Sequence, residues 1–388
     1  MAQYMHWLFT GYLFHSPTKL LFGLGIRKAI ASEARRFGKR VLLIVDGNLA
    51  SIGREISGYL EQGSVEVAVY DKIYGEPTIE SVGDAAKHAV EVDPDVVIGV
   101  GGGSTLDTSK IVSALISNKM DIRDMFGVDR VPRKGRPLIL LPTTAGTGSE
   151  VDRTAVVSDG HVKRSIISHN IAADIAIVDP ELTVGCPPRV TAYTGLDTLA
   201  HAIEGMMSTA SNPLIDALAL EIVRIVDRYL RRAYYNGRDI EARFYMSFAA
   251  TMGGYILSST TMVYGHSISY TLSKYGVPHG LGTAFALPYA IKINIGVIPE
   301  KISRIAETLG IAERDSRRSS WRVVEWVQEL LRDLGIPRSL KEMGVPKEDI
   351  KALAREMIET YPRPNNPRQL SIEETEKLYE EMWIGSQL

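Results

Sequence analysis

From residue 40 to about residue 179 the chain alternates short apolar, β-branched runs with amphipathic helical stretches. This rhythm constrains the fold more than any other feature of the sequence. Residues 40–46, 65–70, 96–100, 137–141 and 175–178 read as strands, with helical patterns between them, for example over 78–92 and 107–118. Several of these runs are continuously apolar, which is how strands buried on both faces look. Strand and helix in alternation predict an α/β, Rossmann-like unit: a mainly parallel sheet with helices on its faces and ligands beyond the carboxyl ends of its strands. After Pro187-Pro188 the strand signal stops, and helical patterns follow over 197–207, 213–232, 240–262, 299–309, 321–334, 347–359 and 372–382. The expected organisation is a dinucleotide-binding α/β domain over 1–185 and an all-α domain over 186–388.

Composition narrows the function classes. A length of 388 residues suits two domains, and a net charge of -2 gives no electrostatic case for nucleic acid or an anionic membrane. No apolar run approaches the roughly 18 residues of a membrane helix. The single cysteine, Cys186, excludes an internal disulfide and fits a reducing cytoplasm. No Lys or Arg precedes Lys19, so the start lacks the basic segment of a secretory signal. A soluble cytoplasmic protein is the expectation.

Two strand ends carry chemistry. Gly101-Gly-Gly-Ser-Thr-Leu-Asp107 follows an apolar strand and precedes a helix. Its glycines let backbone approach a phosphate, and the helix start offers unpaired N–H groups and a positive dipole end. The spacing is not the G-x-G-x-x-G of the usual dinucleotide fingerprint. After the strand at 137–141 comes Pro142-Thr-Thr-Ala-Gly-Thr-Gly-Ser-Glu150, a dense hydroxyl and glycine loop able to bond ribose, phosphate or carboxamide. Asp46 closes the first strand, where a carboxylate either accepts ribose hydroxyls and repels a 2′-phosphate or caps the next helix.

The second half offers metal donors. Asp197 and His201 stand four apart in Gly195-Leu-Asp-Thr-Leu-Ala-His201, so on a helix they project from one face. Such a pair either chelates a divalent cation or serves as a cap and a structural histidine. Beyond residue 170 the other histidines are His266 and His279, both in apolar, glycine-punctuated surroundings. With them the donor set becomes one carboxylate and three imidazoles, which suits iron, zinc, nickel or cobalt.

These stretches, with Ser16-Pro-Thr-Lys-Leu-Leu-Phe-Gly23 at the start and Asn366-Pro-Arg368 near the end, resemble the iron-dependent (group III) alcohol dehydrogenases over essentially the whole chain. The resemblance implies their dehydroquinate synthase-like architecture: a dinucleotide-binding α/β domain joined to a helical metal domain, with catalysis in the cleft between them. It implies Asp197, His201, His266 and His279 as ligands of Fe2+, with Zn2+ as the alternative metal. Gly102, Gly103, Ser104, Thr105, Leu106 and Asp107 fall on the pyrophosphate loop. Thr143, Thr144, Thr147, Lys163 and Leu182 fall on further contacts to NAD or NADP. A homodimer is implied as well.

Four departures stand out. Tyr270 occupies the position of a second histidine that relays a proton in many members. The interval from His266 to His279 is one residue short. Asp152 replaces a common threonine after the Glu-Val pair. Glu76 stands where an Asn-Pro-Thr motif is usual, and Asp46 aligns with the family carboxylate only with one residue skipped. The reading that follows is a metal-dependent alcohol dehydrogenase or aldehyde reductase, with Tyr270 as a proton relay or a packing residue. A zinc polyol dehydrogenase of the glycerol type and a non-redox lyase on the same architecture are the enzymatic alternatives. A cofactor-binding module without catalysis is the non-enzymatic one.

Overall fold

The computed structural model describes residues 11, 12 and 14–385; most of the N-terminal stretch without basic residues lies outside them. The chain divides into two compact units. One comprises His15–Cys186 with Gly237–Ser258, and the other is built mainly from Pro187–Asn236 and the residues from Ser259 onward.

The first unit is organised by a six-stranded sheet. Its strands are β1 (Lys19–Phe22), β2 (Arg40–Asp46), β3 (Glu66–Ile73), β4 (Val96–Gly101), β6 (Leu138–Pro142) and β9 (Ile175–Val178), in the order β1-β9-β6-β4-β2-β3. Every pairing is parallel, for example Val41 with Val96, Val97 with Leu138 and Ile139 with Ile175. β4, β6 and β9 are buried from end to end. Alternate residues feed two cores: Leu42, Ile44, Val97, Leu138 and Leu140 on one face, Val41, Leu43, Ile98, Ile139 and Ile177 on the other. Each such side chain contributes about 1.5–3 kcal/mol on burial, which is why β4, β6 and β9 carry no polar side chain. From β2 the chain steps outward to β3, then returns past β2 to β4 and β6. The order therefore reverses at β2 and β4, and the crevice at such a reversal is where open α/β sheets bind ligands.

A smaller sheet of β5 (Gly127–Val128), β7 (Thr154–Asp159) and β8 (Val162–Ile167) was not expected from the sequence. β7 and β8 form a hairpin whose tight turn holds Gly160 at φ 61. The short edge strand β1 and the helices Ala50–Gln62, Tyr264–Leu272 and His279–Asn294 also escaped the periodicity.

Ile240–Ser259 follows two helices of the second unit in the chain, yet residues up to Ser258 group with the α/β unit. A Cβ on Gly254 would lie 2.2 Å from the carbonyl oxygen of Gly148, so only glycine lets this helix press on the threonine loop. Thr251 Oγ1 donates to Glu150 Oε1 at 2.9 Å, and Phe22 meets Phe244 edge to face at 5.0 Å.

The second unit is helical: Pro188–Met207, Pro213–Tyr235, Tyr264–Leu272, His279–Asn294, Pro299–Leu309, Ser316–Asp333, Ile350–Glu359 and Ile372–Ile384. Local signals start several of these helices. Asn212 caps Pro213–Tyr235 with Pro213 in its first turn, and Ser371 with Glu374 forms a reciprocal capping box. Among the described residues, no helix is long and apolar enough to cross a membrane.

Candidate metal centre and dinucleotide loops

The helix carrying Asp197 begins at Pro188, so Asp197 lies in its third turn and is not a cap. Asp197 and His201 are each 2% exposed. Asp197 Oδ1 lies 4.0 Å from His201 Nε2 and 3.8 Å from His279 Nε2. Donor atoms of Asp197, His201 and His266 all fall within 4.8 Å of one another. The His201 and His266 rings stack at 5.1 Å, and the His266 and His279 rings meet at 5.4 Å. All four predicted donors therefore converge, from three helices of one unit.

The glycines around these histidines are packing requirements. A Cβ on Gly265 would meet Glu204 Oε1 at 2.3 Å, one on Gly280 the carbonyl oxygen of Tyr193 at 2.6 Å, and one on Gly282 the Ser269 hydroxyl at 2.5 Å. Each absent side chain lets the helices Tyr264–Leu272 and His279–Asn294 come close enough to aim their imidazoles at Asp197.

The protonation states suit a cation. Burial, then the neighbouring His201 and His279, hold the His266 pKa well below the ordinary value, and burial lowers His201 as well. Burial penalises the Asp197 carboxylate, but His201, His279 and His266 more than offset it and keep its pKa low. Burial thus favours neutral His201 and His266, the form in which histidine ligates, beside an ionised Asp197. His266 Nε2 and His201 Nδ1 are buried with no hydrogen-bond partner. His266 Nε2 is the orphan among the donor atoms, and a buried nitrogen of that kind is costly unless something binds it, so the donor set fits a divalent metal.

A second layer, which the sequence reading missed, orients the donors. Thr283 Oγ1 donates to Asp197 Oδ1 at 2.9 Å, and Ser269 Oγ lies 3.2 Å from His279 Nδ1. Glu204 Oε1 lies 2.9 Å from His266 Nδ1, and Oε2 accepts from the backbone of Val263 at 3.0 Å. Burial pushes the Glu204 pKa up to about 8. A signal for Glu204 was present: it stands seven residues after Asp197 and three after His201, on their helix face. Thr283 and Ser269 carry no comparable pattern. Tyr270 stacks on His279 at 5.6 Å and meets His266 edge to face at 6.5 Å.

The dinucleotide candidates lie in the other unit, most of them at the ends of β4, β6 and β2, with Lys163 in β8 and Leu182 just after β9. Gly102 precedes the helix Gly103–Asn118, which has no side-chain cap. The N–H groups of Gly103 and Ser104 are therefore available to an anion, while that of Thr105 donates to Gly102 O. A Cβ on Gly103 would meet the Thr147 side chain at 2.6 Å, and one on Gly102 would meet Thr144 at 3.5 Å, while Thr143 N donates to Gly101 O at 2.9 Å. The glycine turn and the threonine loop thus lie against each other, a cradle that added Cβ atoms would fill. Ser104 is in the first turn, Thr105 is fully buried, and Leu106 belongs to the sheet core. Asp107 accepts from Ser149 Oγ at 2.6 Å and from Val156 N at 2.9 Å, tying the glycine helix to the threonine loop.

Asp46 Oδ1 accepts from Asn48 N at 2.9 Å and so shapes the turn after β2, with no bond to the next helix. Lys163 pairs with Glu76, the residue at the divergent motif position. Leu182 packs in the core on one sheet face. Asp152 is buried and pairs with Lys110, whose ammonium also bonds Ser149 Oγ and Thr154 O, each at 2.8 Å. The residue that replaces the common threonine is therefore part of a buried ion pair behind the loop.

Donors able to hold a divalent metal in one unit and an uncapped glycine turn able to receive a phosphate in the other are the features of a metal- and dinucleotide-dependent oxidoreductase. Comparison with known proteins narrows the class. The model for iron-containing alcohol dehydrogenase matches residues 17–180, and that for the C-terminal part of the Fe-containing alcohol dehydrogenase family matches residues 191–383. Sulfoacetaldehyde reductase of Bilophila wadsworthia (strain 3_1_6) is 36% identical over 371 residues, 93% of this chain and 96% of that protein. A crystal structure of 1,3-propanediol oxidoreductase superposes with TM-score 0.91 at 28% identity, covering 96% of this chain and 100% of the other. That of sulfoacetaldehyde reductase from Bifidobacterium kashiwanohense in complex with NAD+ gives TM-score 0.86 at 28% identity, covering 96% and 98%. The chain belongs to the iron-containing alcohol dehydrogenase family. It is an NAD(P)-dependent oxidoreductase acting on CH–OH groups, interconverting alcohols and aldehydes.

Proposed function

We propose that the chain is an iron-dependent, NAD-preferring reductase of small aldehydes, working in reverse as an alcohol dehydrogenase. The observation that carries the metal assignment is the buried, unpartnered His266 Nε2 among the donors of Asp197, His201 and His279. A divalent cation held there supplies Lewis-acid stabilisation of alkoxide charge, and the nicotinamide supplies or accepts the hydride. The remaining work belongs to the chain. Thr283, Glu204 and Ser269 hold Asp197, His266 and His279 in place, so the donors need little rearrangement. The backbone of Gly102, Gly103 and Ser104 receives the pyrophosphate, with Thr143, Thr144 and Thr147 beside it as hydroxyl partners. Tyr270 is the proposed route for the alcohol proton. Asp46 favours NAD, since a carboxylate there accepts ribose hydroxyls and repels a 2′-phosphate. The homologous structure that carries NAD+ agrees with this choice. A cytoplasmic homodimer is the proposed setting, on the family resemblance and the single cysteine.

The test is an anaerobic screen of aldehydes and alcohols with NADH and NADPH side by side, on protein loaded with Fe2+ or Zn2+. Expected are about one metal per chain, loss of metal and activity together in His266→Ala, and NADH preferred over NADPH. Preference for NADPH would overturn the role of Asp46. A folded, metal-free wild type that still oxidises alcohols would overturn the metal assignment.

A further inference from the structure

Arg363 stands in the Pro362-Arg-Pro364 turn of the helical unit, half-buried, and its guanidinium carbon lies 5.7 Å from the centre of the Tyr270 ring. The other neighbours of that ring are the candidate ligand His279, stacked at 5.6 Å, and Tyr361 at 5.2 Å. The guanidinium is held in place. Its Nε donates to Ser267 Oγ at 3.0 Å, and that hydroxyl in turn donates to Tyr361 O at 2.7 Å. The carbonyl of Arg363 accepts from Gln369 at 3.2 Å. Flanking prolines stiffen the backbone further.

What the guanidinium lacks is an anion. Among the described residues no carboxylate makes an ion pair with it, and neither Nη nitrogen has a protein hydrogen-bond partner. Glu204 feels its charge, but that carboxylate is already occupied by His266 and Val263. A half-buried arginine, fixed at Nε with both Nη groups unused, is a fork prepared for a planar or tripodal oxyanion. One aromatic ring away stand the donors proposed to hold the reacting oxygen's metal.

We infer that Arg363 binds an anionic group at the far end of the substrate, so that the preferred substrates are short aldehydes bearing a carboxylate or a sulfonate. This rests on the aldehyde-reductase reading above and adds the substrate class. The aldehyde carbon takes the hydride and its oxygen takes the proton, while the distant anion remains chemically unchanged. Arg363 is thus a specificity residue, paying for desolvation of the anion with two charge-assisted hydrogen bonds.

The experiment has a kinetic and a binding arm. In the kinetic arm the metal-loaded enzyme is assayed with sulfoacetaldehyde and succinic semialdehyde, each beside an uncharged aldehyde of similar size. The expected result is a ratio of kcat/KM, anionic over neutral, that falls about 10- to 100-fold in Arg363→Gln, chiefly through KM. Arg363→Lys keeps the charge without the fork and should fall between. The two acids separate sulfonate from carboxylate recognition. In the binding arm, calorimetry with ethanesulfonate and with propionate should give one site per chain in the wild type, weakened at least tenfold in Arg363→Gln.

Equal ratios in wild type and both variants would overturn the inference while leaving the aldehyde-reductase reading intact. No turnover of any aldehyde or alcohol would remove that reading, and the binding arm would still decide whether Arg363 holds an anion. If Arg363→Gln fails to fold, Arg363→Lys carries both arms. Anion binding unaffected by the lysine variant would then count against the proposal.

Discussion

Oε1 of Glu204 lies 2.9 Å from Nδ1 of His266, while Oε2 accepts the backbone N–H groups of Val263 at 3.0 Å and of His266 itself at 3.3 Å. One fully buried carboxylate therefore fixes both the ring and the backbone of a candidate ligand, and leaves Nε2 as the ring atom without a partner. A glutamine cannot replace it, because its amide group would turn N–H toward N–H on one side or the other. Glu204→Gln is expected to weaken metal binding about 10- to 100-fold, read by chelator competition under anaerobic conditions. Metal affinity equal to wild type in a folded variant would show that Glu204 only fills space.

Tyr270 touches His279 and His266 through its ring, and the resemblance puts it where other members have a relay histidine. If its hydroxyl passes the alcohol proton, Tyr270→Phe should lower kcat by about 10² or more with little change in KM, the usual scale for a proton-transfer group. A kcat within about twofold of wild type would make Tyr270 a packing residue, since phenylalanine keeps the ring contacts.

Asp95 accepts hydrogen bonds from the backbone N–H groups of Lys39 and Arg40 and from the Arg40 side chain, each at 3.0 Å. The backbone of Arg40, its side chain and the backbone of Lys39 hold the Asp95 carboxyl down at about 2. A carboxyl depressed in the folded state stabilises fully above its ordinary value near 3.9, and that contribution is lost as pH falls through about 2. In acid titrations followed by circular dichroism, the wild type should therefore exceed Asp95→Asn in stability by a constant margin above about pH 4, shrinking toward pH 2. A margin independent of pH would remove the ionised carboxylate as its cause.

Gly254 and Gly148 bring the helix Ile240–Ser259 and the threonine loop into backbone contact. In Gly254→Ala the new methyl would sit 2.2 Å from the backbone oxygen of Gly148 and 2.7 Å from Val151 Cγ2. A loss of about 1–3 kcal/mol is expected in denaturant unfolding, the scale of overpacking. Because the affected loop carries Thr143, Thr144 and Thr147, the variant should also bind NAD more weakly in calorimetry. Unchanged stability would mean that the two backbones separate freely.

The strands at β2, β4, β6 and β9 were legible because a strand buried on both faces admits little besides apolar residues, and the glycine and hydroxyl loops at their ends break that run. Asp197 and His201 were legible because a helix turns spacing in sequence into proximity in space. The helices around His266 and His279 were hidden by the glycines that let them pack, and the hairpin of β7 and β8 by its short, mixed strands.

The α/β alternation, the helical second half and the strand-end loops were readable from residue order alone, and so were the four candidate donors Asp197, His201, His266 and His279. It took the packed structure to show that residues 237–258 group with the sheet, that Glu204, Thr283 and Ser269 stand behind the candidate donors, and that Asp152 pairs with Lys110. It alone showed Arg363 fixed at Nε beside Tyr270 with its fork unused. The physical reason is range. Periodicity records which side of an element faces the core, whereas contacts between residues far apart in the chain, such as Thr283 with Asp197 or Arg363 with Ser267, depend on how elements cross. The candidate pair within one helix was therefore readable, and Thr283, which bonds Asp197 from another helix, was not.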